Sequence, residues 1–77
     1  MVEQTFRVLI EKDEDGVFVA SIPSLPGCHT QGKTFEEALD RSKKAVSLYL
    51  EVRKEEARKV IPQPSFIGVE NITVRYA

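Results

Sequence analysis

The sequence holds little of what metal, redox or membrane chemistry requires. It carries one cysteine, Cys28, and one histidine, His29, so an intramolecular disulfide is excluded and a zinc site would lack ligands. No apolar stretch approaches the roughly 20 residues of a membrane-spanning helix. The N-terminus alternates and bears an acid, Glu3, where a signal peptide would need positive charge and a longer apolar run. A cytoplasmic protein outside the membrane is therefore expected. A formal net charge of −1 gives no global field to gather phosphates, which argues against nucleic acid as the main ligand.

What is present fits one small folded domain spanning residues 1–77. Hydrophobic residues make up 42% and charged residues 30%, the balance of a globular chain rather than a disordered one. A chain of this size buries only about 60% of the surface its unfolded form exposes. Its core alone supplies a thin stability margin, so a homo-oligomer is expected.

Thr5 to Glu11 alternates, with Phe6, Val8 and Ile10 on one side, the period of a strand with one buried face. Asp13-Glu14-Asp15-Gly16 then reads as a hairpin turn, because glycine supplies the positive φ that a tight turn needs. Val17 to Ile22 returns antiparallel, with Phe18, Ala20 and Ile22 toward the same core. Pro23 and Pro26 end that strand, and Pro26-Gly27 suits the centre of a type II turn. A short edge strand, Cys28 to Gln31, closes at Gly32.

Thr34-Phe35-Glu36-Glu37 is a capping box, with the Thr34 hydroxyl accepting from the Glu37 amide and the Glu37 side chain reaching back to the Thr34 amide. The helix it opens carries Phe35, Ala38, Leu39, Ser42, Ala45, Val46, Tyr49, Leu50 and Ala57 on one broad face. Glu36 and Glu37 suit its positive end and Arg58 and Lys59 its negative end, while Glu37/Arg41 and Asp40/Lys44 pair four apart. Pro62 and Pro64 stop it. Asn71 to Tyr76 alternates again and reads as a fourth strand. A right-handed crossover would lay it parallel to the first. The expected fold is thus α+β, β-β-β-α-β, a four-stranded mixed sheet ordered 3-2-1-4 with the helix packed on one face.

No catalytic, metal or cofactor site is expected. A calcium loop starting at Asp13 fails, because Val17 and Phe18 fall where a ligand and a glycine are needed. Cys28 and His29 are adjacent strand residues that point to opposite faces and cannot share a proton. The basic residues Arg53, Lys54, Arg58 and Lys59 are interleaved with Glu51, Glu55 and Glu56, which cancel their field. The apolar residues left outside the core are more informative. Leu9, Val17 and Val19 fall on the sheet face away from the helix, near His29, and Leu48 and Val52 lie one turn apart off the helical stripe. These six are the expected partner-binding residues.

The run from Asp13 to Gly32, with its acidic glycine turn, alternating strand and Pro23-Ser24-Leu25-Pro26-Gly27-Cys28, resembles the signature of the HicB antitoxin family. Thr34-Phe35-Glu36-Glu37-Ala38 continues the likeness, and it covers nearly the whole chain. The resemblance implies a partial RNase-H-like fold and a protein that does no chemistry, but binds a small HicA-like mRNA-cleaving toxin and occludes its active site. Many such relatives carry a C-terminal operator-binding segment. This sequence stops at Ala77, so no DNA-binding domain is expected of it. Two other readings stand beside this one: an RNA-binding or nuclease domain of RNase-H-like descent, and a stand-alone homo-oligomeric module without a toxin.

Overall fold

A computed structural model of the chain describes residues 3–54 and 58–77. Two tight turns build its sheet. In the first, the Gly16 amide donates to the Asp13 carbonyl at 3.0 Å and the Asp13 amide to Val17 at 2.8 Å. Asp13 Oδ1 accepts from the amides of Asp15 and Val17, each at 2.9 Å, and Gly16 takes φ +84°. The acidic run is therefore turn chemistry. In the second, the Cys28 amide donates to the Leu25 carbonyl at 3.0 Å and Gly27 takes φ +80°, the left-handed position of a type II turn.

These turns join β1 (Leu9–Lys12), β2 (Phe18–Ser21) and β3 (His29–Gly32) into one antiparallel sheet ordered β1-β2-β3. α1 (Phe35–Val52) packs on one face, mainly over β3 and β2 and least over β1. Ala20, Ile22, Leu25, Cys28, Ala38 and Ser42 are buried between the layers, and Ser42 Oγ satisfies itself by donating to the Ala38 carbonyl at 2.7 Å. β3 and the helix start are in close contact: a Cβ on Gly32 would stand 2.6 Å from the Ala38 nitrogen.

Beyond one-residue shifts at the ends of β2 and β3 and the exposure of Phe35, which was expected on the buried helix face, the structure departs from the sequence-based expectation in four places. β1 starts at Leu9, because in register Arg7 would face Pro23, which has no amide to donate. Thr34 Oγ1 caps the Glu37 amide at 3.0 Å as expected, but Glu37 Oε1 accepts from Lys33 at 3.1 Å, not from Thr34. The helix ends at Val52 rather than near Lys59, so Arg58 and Lys59 do not line its C-terminal end. From Arg53 to Lys59 the one apolar residue is Ala57, leaving no stripe to bury; Ala57 itself lies outside the described residues.

The fourth difference is the largest. Asn71–Tyr76 forms no strand: residues 60–77 have no regular secondary structure, and residues 64–77 are exposed throughout. The sheet has three strands where four were expected. Pro62 and Pro64 keep the segment extended, and five hydrogen bonds attach its start to the N-terminal segment. Gln4 pairs with both backbone groups of Ile61. Gln63 accepts from the Arg7 amide at 3.1 Å and donates to the Thr5 carbonyl, and Arg7 Nη1 donates to the Pro64 carbonyl at 3.0 Å. Beyond Gly68 the tail is exposed, with Val69, Ile72, Val74 and Tyr76 all open to solvent.

Candidate functional site

Strand register assembles the open sheet face into two rows, Leu9–Ser21–His29 and Glu11–Val19–Gln31. Side chains directly opposite in such rows are neighbours, so three of the expected partner-binding residues, Leu9, Val19 and His29, share one surface. Val17 precedes β2 and keeps the same alternation. Leu9 is 41% exposed, His29 is exposed, and Val17 and Val19 are half-buried. Leu48 and Val52 are more exposed, at 61% and 70%, but they stand on the helix layer. The six residues therefore make two patches, one on each layer.

One part of the open face escaped the sequence reading. Residues 64–68 pass beside Leu9, and Arg7 holds its guanidinium 5.4 Å from the Phe66 ring centroid. Arg7, Leu9, Pro23, Phe66 and Ile67 thereby line a groove of about 370 Å³. The signal available was Pro62-Gln63-Pro64, which forces an extended path past the strand, followed by the apolar pair Phe66-Ile67.

A second apolar groove, about 260 Å³, lies on the helix side of the sheet between Phe6 and Val8 and the helix residues Leu39, Ser42, Lys43 and Val46. It exists because the helix leans toward β3, leaving the β1 side thinly covered. Both grooves are lined mainly by apolar side chains. Among the described residues no three His, Cys, Asp or Glu side chains gather where they could hold a metal. Cys28 is buried in the core with Ile22 and Leu25, its thiol pushed above its usual range by desolvation, while its neighbour His29 is exposed. Arg53 is spent on the Tyr49 ring, 4.1 Å from its centroid.

Residues 6–77 match the family model described as the HicB_like antitoxin of bacterial toxin-antitoxin systems. The chain belongs to the HicB-like antitoxin family. It is 49% identical over 70 residues to a UPF0150 protein of Archaeoglobus fulgidus, covering 91% of this chain and 94% of that one. A UPF0150 protein of Thermoplasma acidophilum is 48% identical over 90% of this chain and 94% of its own. One from Synechocystis is 35% identical over 96% and 100%.

In this HicB-like antitoxin the signature residues are structural. Leu25 and Cys28 fill the core, Gly27 makes the left-handed turn, and Thr34 caps the helix. The signature thus secures the scaffold, and the exposed patches described above lie outside it. No helix among the described residues is long and apolar enough to cross a membrane.

Proposed function

We propose that this chain neutralises a small HicA-like mRNA-cleaving toxin by protein–protein contact, doing no chemistry of its own. The observation that carries the reading is the sheet face away from the helix, where Val17, Val19 and His29, with Leu9 at the rim beside residues 64–68, present apolar and hydrogen-bonding surface. Apolar patches of this kind, rimmed by polar residues, are the usual ground for protein contact. Leu48 and Val52 supply a second contact on the helix layer. In this reading the sheet and helix are part of an RNase-H-like outline, used as a binding frame in the cytoplasm and without direct operator contact from residues 1–77.

The test is co-expression with any small protein found to be encoded beside it. A stable complex and rescue of growth are expected, both weakened by Val19→Asp at unchanged far-UV circular dichroism. If wild-type chain and neighbour neither co-purify nor restore growth, the reading falls. Salt-dependent RNA binding or magnesium-dependent RNA cleavage by the purified chain would favour the nucleic-acid reading instead.

A further inference from the structure

The outer side of β1 is an unpaired sheet edge. The Asp13 amide donates across the hairpin to Val17, and strand backbone groups alternate in direction. Glu11 and Leu9 therefore bond toward β2, opposite Val19 and Ser21, while Ile10 and Lys12 turn their amides and carbonyls outward. Among the described residues no strand meets them. Such an edge is a template for another strand. Beside it, on the helix side, lies the groove of Phe6, Val8, Leu39 and Val46, where one face of an added strand would be buried.

The same chain carries a segment shaped for that place. Ile72, Val74 and Tyr76 alternate with Asn71, Thr73 and Arg75, and the three are 84%, 64% and 88% exposed. Six extended residues span about 20 Å, comparable with the run from Phe6 to Lys12. The chain's own tail is held elsewhere. Arg7 has the phase of Leu9 and Glu11, so its amide bond to Gln63 places the tail on the β2 side of the N-terminal segment. Ile61 packs there on Ile22, Leu25 and Cys28, and the tail continues along the Leu9 face past Pro23. Donor strand and acceptor edge are both present, and both are unpaired within one copy.

We infer that the partner for this edge is a second copy of the chain: Asn71–Tyr76 of each protomer adds to the free β1 edge of the other, setting Ile72, Val74 and Tyr76 against the groove of Phe6, Val8, Leu39 and Val46. Each copy offers one segment and one edge, so reciprocal exchange closes a two-fold dimer and leaves neither feature over. The exchange completes a four-stranded sheet from two chains, each supplying what the other lacks. It uses the β1 edge and leaves the Leu9–Val19–His29 face open.

The full chain at tens of micromolar, measured by light scattering after size exclusion, should have twice the mass of one 8.7 kDa chain. The double variant Ile72→Asp/Val74→Asp should run as a monomer with its helical signal intact, since both side chains are exposed in the single copy. Lys12→Pro, which removes an outward amide that no strand in the same copy uses, should weaken the dimer at least tenfold. Two differently tagged populations, one with Lys12→Cys and one with Val74→Cys, should join through a bis-maleimide between tags. A monomeric wild type, a dimer that survives Ile72→Asp/Val74→Asp, or a cross-link found only within chains carrying both cysteines would overturn the inference. None of these readouts involves the toxin, so the antitoxin reading stands or falls separately.

Discussion

The side-chain amide of Gln4 bonds both backbone groups of Ile61, donating from Nε2 to the carbonyl at 2.6 Å and accepting at Oε1 from the amide at 2.8 Å. The pair joins the two ends of the chain and sets where the tail departs. Gln4→Ala removes both bonds. At about 0.5–1.5 kcal/mol for each, urea unfolding should show a loss of about 1–3 kcal/mol. Gln4→Glu keeps the acceptor but sets a carboxylate oxygen against the Ile61 carbonyl, so at neutral pH its cost should equal or exceed that of alanine; a smaller loss would mean that the accepting bond dominates.

Leu25, 1% exposed, is the apolar plug of the Pro23–Gly27 loop. Leu25→Ala should cost about 2–5 kcal/mol through lost burial and the cavity left behind. Leu48→Ala, at an exposed helix position, should stay within about 0.5 kcal/mol. Chemical denaturation of the two side by side checks the layer assignment.

Gly27 and Gly32 are both required, for different reasons. At Gly27 a Cβ would meet nothing, but φ is +80°, so Gly27→Ala should cost about 1–2 kcal/mol in backbone strain and Gly27→Asn less. At Gly32 the obstacle is the Ala38 nitrogen at 2.6 Å. Gly32→Ala should cost about 1–3 kcal/mol by forcing the helix away from β3, and asparagine should be worse than alanine there. Thermal midpoints of the four variants separate the two causes.

Burial raises the Cys28 thiol above its ordinary value, and the sign of the pH effect follows. The unfolded thiol, near pH 8.5, releases its proton first, so the stabilisation from this site is complete below that pH. It is then lost as pH rises through the folded value. Urea midpoints should fall more steeply for the wild type than for Cys28→Ala as pH rises above about 8.5. The native thiol should also react with a disulfide reagent far more slowly than the unfolded chain.

Much of the local structure was legible in the order of residues. Asp13 to Gly16, Pro26-Gly27 and Thr34 to Glu37 each specify a turn or a cap through bonds that reach no more than a few positions along the chain. The family signature lies on these residues for the same reason, since they fix the scaffold. The alternation that separated Ile22 from Leu9 also held, because neighbouring strand residues face opposite sides.

Tertiary structure decided everything that depends on a distant partner. Asn71–Tyr76 has the alternation of a strand, but a strand exists only where an edge receives it, and Gln4, Arg7 and Gln63 hold the start of the tail on the other flank. The helix stopped at Val52 once there was no longer a core to cover. The rows that set His29 and Leu9 on either side of Ser21 come from register, a relation among three strands. Sequence alone determined the turns, the Thr34 cap and the buried face of the sheet; the open edge, the groove beside it and the path of the tail were set by packing between distant segments, Phe6 and Val8 against the helix and Gln4 and Arg7 against residues more than fifty positions away.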